Sequence, residues 1–100
     1  MKLSDPEVTR IAKALADPQR LALLTRVGKA GELTCSDLAA KCLIGQATVS
    51  HHLRELVNAG LLSRRKEGQF AYFAFEQAVF VAYVQEMRKR LGPLLHAEGS

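Results

Sequence analysis

Apolar residues return every three or four positions through most of this chain and alternate with polar ones in only one place, between Leu61 and Phe75. The first pattern is that of helices with one buried face, and the second is that of a half-buried strand pair. Val8, Ile11, Ala12 and Leu15 define a first helix over about residues 5–16. It opens at Asp5-Pro6, where Asp5 caps free amides and Pro6 suits the first turn. Asp17-Pro18 repeats that device and predicts a second helix to about Lys29, with Leu21 and Leu24 inward and Ala22 beside them. Gly28 and Gly31 loosen the chain before Leu33, which predicts a short strand or extended lead-in. Thr34-Cys35-Ser36-Asp37 then has capping-box spacing, with Asp in place of the usual Glu, ahead of the apolar positions Leu38, Ala39 and Cys42.

Leu43-Ile44-Gly45 reads as a short turn, and Gly45 as the modest N-cap of a helix over about residues 46–59. At 100° per residue, Val49, Leu53 and Leu56 fall within one narrow arc of that helix, while Ala47, His51, Arg54 and Asn58 lie opposite, flanked by Thr48 and Ser50. A solvated surface usually carries long Lys and Glu side chains. This face instead carries short hydrogen-bonding groups and one cation, which suit base edges in a major groove. Gly60 closes the helix as a left-handed cap. Leu61–Arg65, a turn through Lys66, Glu67, Gly68 and Gln69, and Phe70–Phe75 then form a hairpin, the wing of about residues 61–75. Alternation sends Phe73 and Phe75 to one face and Phe70 and Tyr72 to the other. Arg64, Arg65 and Lys66 at its basic tip are placed to touch phosphate or a minor groove, and Tyr72 is a further candidate backbone contact.

After the hairpin, Val79, Phe80, Tyr83, Val84, Met87 and Leu91 form a wide apolar stripe on a helix over about residues 76–91, which Gly92-Pro93 is expected to end or kink. That stripe exceeds what a core of this size needs. Together with the apolar face of the first helix it predicts a homodimer interface. The fold class expected is therefore mainly α with a small β-hairpin: a single winged helix-turn-helix domain over residues 1–100, four helices, the hairpin, and a fifth helix.

Composition narrows the partners. One hundred residues allow one domain and one core. Fourteen Lys and Arg against ten Asp and Glu give a net charge of +4, a balance that favours polyanions. No run approaches a membrane span, and MKLSDPE turns acidic before a signal-peptide core forms, so a cytoplasmic protein with reduced cysteines is expected. There is no glycine-rich phosphate loop, nucleophile elbow or suitably spaced acid pair, so no enzyme and no cofactor are expected.

The chain resembles the ArsR/SmtB family of dimeric winged-helix repressors over nearly its whole length. The residues that carry this are ALADPQRLALL at Ala14–Leu24, ELTCSDLA at Glu32–Ala39, ATVSHHLRELVNAGLL at Ala47–Leu62 and RRKEGQFAYFAF at Arg64–Phe75. The resemblance implies a homodimer through the first and last helices, double-stranded DNA with a pseudo-palindromic operator as partner, and repression relieved by an effector that the sequence does not identify. Gln46, Thr48, Ser50, His51 and Arg54 would face bases or backbone, with Arg64, Arg65, Lys66 and Tyr72 on the wing.

The metal boxes of that family are absent. Thr34 and Ser36 stand where its metal sensors carry a cysteine pair, and the lone Cys35 between them cannot supply converging thiolates. The last helix offers only His96 with Glu98, so no metal site is expected. Cys35 and Cys42 would lie about 10 Å apart along a helix, too far for a disulfide, which needs Cα atoms within about 7 Å. Cys42 reads as a small apolar residue. Cys35, near a helix N-terminus, is the candidate thiol or redox sensor, because exposed amides favour its thiolate. Of the paired histidines, His51 faces outward and His52 reads as a structural histidine between helices. The basic run Arg88-Lys89-Arg90 reads as solvated surface. The function expected is a dimeric, sequence-specific transcriptional regulator, a repressor rather than a conventional metal sensor. The competing reading is a winged-helix module for protein-protein assembly without DNA binding.

Overall fold

The computed structural model describes the backbone of residues 1–99 and the side chains of residues 1–95. Eight elements follow in order: α1 (Asp5–Leu15), α2 (Pro18–Ala30), β1 (Glu32–Thr34), α3 (Cys35–Cys42), α4 (Gln46–Asn58), β2 (Leu62–Glu67), β3 (Phe70–Phe75) and α5 (Gln77–Gly99). The expected hairpin is part of a three-stranded antiparallel sheet of order β1-β3-β2, in which β1 pairs Leu33 with Phe73 and β2 pairs Arg64 with Phe73. Leu33 thus forms a strand, and β3 is central.

Local chemistry sets the boundaries. Ser4, not Asp5, caps α1: its hydroxyl accepts from the Glu7 amide while the Glu7 carboxylate accepts from the Ser4 amide, a reciprocal pair that Asp5 cannot make. Asp17 caps α2, accepting from the Arg20 amide at 3.0 Å. Thr34 and Asp37 form the predicted capping box of α3. Gly60, at φ 81°, ends α4 in a Schellman motif, with Leu61 N donating to the Leu56 carbonyl and Gly60 N to that of Val57. The wing turn is two residues, Gly68-Gln69, rather than four, because Gly68 at φ 61° supplies the positive φ that a tight hairpin needs.

One core joins the elements. Ile11 of α1, Leu23 and Val27 of α2, Leu38 of α3, Leu53 and Leu56 of α4, and Leu61 and Leu62 are sealed from solvent. Two inward assignments shift. Ala14 is buried and Ala12 is exposed in α1; in α2 the buried arc is Leu23, Leu24 and Val27, leaving Leu21 46% exposed. Leu21 and Leu24 share a helical spacing, but the arc that meets α4 is centred one residue later.

α5 does not end at Pro93 but continues to Gly99. A proline ring crowds the Cβ of the residue before it, and Gly92 has none, so the helical backbone persists. The 23-residue helix spans about 35 Å and gives the chain a long axis of 54 Å against 26 and 22 Å. Its first half packs through Val79, Phe80, Ala82, Tyr83 and Met87. Farther along, Leu91, Leu94 and Leu95 stand 53, 64 and 70% exposed. Nor is Arg90 simply solvated: it bonds Glu86 and reaches across to Asp5 of α1 at 2.6 Å.

Two stability predictions arise from the caps. Thr34→Ala is expected to cost about 1 kcal/mol in denaturant unfolding, since it leaves the first amides of α3 unpaired. The Arg20 backbone amide holds the Asp17 carboxyl below the ordinary carboxylate range. A depressed folded value means that the stabilisation is present above the unfolded carboxylate range and is lost as pH falls through the folded value. Asp17→Asn, which can still cap, should therefore melt almost as wild type at pH 7 and show a shallower loss of stability below about pH 4.

Candidate nucleic-acid interface

α4 is amphipathic in an unusual sense. Val49, His52, Leu53 and Leu56 are buried, whereas Gln46, Thr48, Ser50, His51 and Arg54 are all exposed on the other side. The exposed set is short and polar, and it follows a turn in which Leu43, at φ 55°, redirects the chain out of α3. α3 and α4 thus pack as a helix-turn-helix, with one face of α4 left open.

The wing divides its basic residues between two faces. Cross-strand partners share a face of a sheet, so Arg64 lies with the buried Phe73, while Arg65 lies with Tyr72 on the reverse side. A cleft of about 310 Å³ runs between α4 and the wing, lined by Ser50, Arg54, Val57, Arg64 and Phe73. The helix cation and the wing cation therefore border one opening. Arg54, Arg64 and Lys66 are exposed, and none forms an ion pair among the described residues.

Arg65 is differently placed. Its guanidinium bonds both carboxylate oxygens of Glu32, at 3.0 and 3.3 Å, contacts Glu67, and lies 4.8 Å from the centre of the Tyr72 ring. Hydrogen bonds to Glu32 first and Glu67 second push its already high pKa further up. Every guanidinium nitrogen is engaged, and Arg65 and Tyr72 lie together on the opposite face of the sheet from Arg64. They tie the wing to β1 on the face turned away from α4.

A helix-turn-helix domain model matches residues 15–65. The chain is 36% identical over 86 residues to an uncharacterized helix-turn-helix transcriptional regulator of Bacillus subtilis, covering 84% of this chain and 86% of that one. It is 32% identical to an arsenical resistance operon repressor of Staphylococcus aureus, covering 85% and 81%. A homodimeric winged helix-turn-helix DNA-binding domain from Mycobacterium bovis, described as a possible ArsR-family regulator, superposes with a TM-score of 0.71 at 26% identity, covering 87% and 86%. The chain belongs to the ArsR family. It has that family's winged helix-turn-helix fold, with β1 pairing the wing through β3.

In this ArsR-family chain the two cysteines sit apart from the open face of α4. Cys35 is the first residue of α3, and burial pushes its thiol up. Its Sγ donates to the Gln46 carbonyl at 3.6 Å, a contact that serves the neutral thiol and joins the starts of α3 and α4. Cys42 is half-buried against the core, as a small apolar residue would be. Among the described residues no three His, Cys, Asp or Glu side chains converge on a common point. The side chains of His96 and Glu98 lie outside those described.

His52 does sit between helices. It is 6% exposed, with Nε2 3.0 Å from Gln19 Oε1 and Nδ1 3.4 Å from Arg20 Nη1. Gln19, Arg20 and Arg10 were not visible as functional positions from sequence. Each meets residues more than 30 positions away, a separation at which no local pattern operates.

Proposed function

We propose that this ArsR-family chain is a dimeric, sequence-specific repressor of transcription that binds duplex DNA in the cytoplasm. The observation that carries the reading is the open polar face of α4, whose Arg54 shares a cleft with Arg64 of the wing while neither has a carboxylate partner among the described residues. Thr48, Ser50, His51 and Arg54 would meet base edges in the major groove, Gln46 the adjoining backbone, and Arg64 and Lys66 phosphates. The exposed apolar run of α5 beside α1 supports pairing of two copies, as does the homodimeric state of the Mycobacterium bovis relative. Two reading helices held in this way suit a pseudo-palindrome with half-sites about one duplex turn apart.

Selection from a random duplex library tests the proposal. A two-fold-related site should emerge, with affinity falling steeply as salt rises because bound phosphates release counterions. No enriched sequence and no salt dependence would favour the assembly-module reading. The wing supplies a sharper comparison. Arg64→Ala should flatten the slope of log affinity against log salt by about 2 for a dimer, whereas Arg65→Ala, whose guanidinium is already occupied, should change it by much less than 1.

A further inference from the structure

The recognition helix is fastened to α1 at two points, and both fasteners are arginines that bind helix-end carbonyls. Arg20 donates from Nε to the Ala14 carbonyl at 2.8 Å and from Nη2 to that of Lys13 at 3.2 Å, where α1 ends and Lys13 also accepts from the Ala16 amide. Its Nη1 reaches His52 Nδ1 in the middle of α4. Since a guanidinium only donates, Nδ1 accepts, so Nε2 carries the proton and donates to Gln19 Oε1. Arg10 of α1 donates to the Asn58 carbonyl at the far end of α4, at 3.5 Å.

His52 and Asn58 are six residues apart, about 9 Å along the helix axis. One attachment point would leave a rod free to pivot, whereas two along its length fix its direction. Both attachments run to α1, at Arg10 and at the carbonyls of Lys13 and Ala14. α1 also meets α5 through the Asp5–Arg90 ion pair, so the tethers join the reading helix to the pair of helices that the proposed dimer uses.

We propose that Arg10 and Arg20 are positioning residues that set the pitch of α4 relative to the dimer axis and so determine which half-site spacing the protein accepts. Neither touches DNA in this account: Arg10 meets a backbone carbonyl at the C-terminal end of α4, and Arg20 meets the buried His52. The inference rests on the DNA-reading function proposed above. A role confined to stability would lower the melting temperature without altering spacing preference.

The test uses the full chain and a duplex series in which two selected half-sites are moved apart one base pair at a time. Wild type should prefer one spacing. Arg20→Lys keeps the charge but lacks the planar fork needed for two carbonyls and an imidazole. Arg10→Met keeps an apolar stem. Each variant, remaining a folded dimer, is expected to lose about tenfold at the wild-type spacing, the size of one lost base contact, and to spread its preference to neighbouring spacings. His52→Gln, whose amide retains a donor and an acceptor, should keep the wild-type spacing better than His52→Leu does. A folded Arg10→Met or Arg20→Lys dimer with wild-type affinity and spacing would overturn the tether; if Arg20→Lys does not fold, Arg10→Met decides. Failure of wild type itself to bind any duplex would sink the regulator reading instead.

Discussion

Arg54→Ala is expected to weaken binding to the selected operator about a thousandfold, the largest functional loss of any single substitution in this chain. A bidentate arginine-guanine contact is worth about 1–3 kcal/mol, and a dimer loses two of them. Specificity should relax at one position in each half-site, because the loss falls on a base rather than on the backbone. Arg64→Ala, in contrast, should weaken binding to all duplexes alike. The two arginines border the same cleft, so a double substitution should depart from additivity. Competition binding at fixed salt against operator and scrambled duplexes separates these outcomes. A loss at Arg54 that is uniform over all sequences would move that residue from base reading to phosphate contact.

The largest structural loss is expected from Leu53→Ala. Leu53 is 1% exposed and lies on the inner arc of α4 with Val49 and Leu56. Removing a sealed leucine side chain leaves a cavity that close-packed neighbours cannot fill, at a cost of about 3 kcal/mol. For a domain of this size that lowers the melting temperature by roughly 15 °C. Chain concentration must be held constant, since dimerisation adds to apparent stability. Leu94→Ala, on the exposed end of α5, should scarcely move the melting temperature of the dissociated chain but should weaken its self-association.

Several of these features could be read from sequence because short-range physics decides them. The polar and apolar sides of α4 follow from helical spacing alone, and Gly60 and the Thr34–Asp37 box mark helix ends through chemistry confined to a few residues. The wing shows where that reach stops. Alternation puts Arg64 and Arg65 on opposite faces of β2 whatever the turn length, but which of those faces turns toward α4 is set by tertiary packing. Taking Lys66 and Glu67 as turn residues groups three cations that the sheet in fact separates. The surroundings of Cys35 were hidden for a related reason. The helix end was legible, but Cys35 packs beside Gln46, and that burial is a tertiary fact. The Arg10 and Arg20 tethers lay further out of reach, since they join residues 48 and 32 positions apart.

Amide chemical-shift mapping of the chain with its selected duplex shows directly whether the open face of α4 reads DNA. Perturbations should concentrate on Gln46–Arg54 and on Arg64 and Lys66, and the exposed end of α5 should be unaffected beyond its own dimer contacts. Shifts confined to α5, or none at all along α4, would contradict that role.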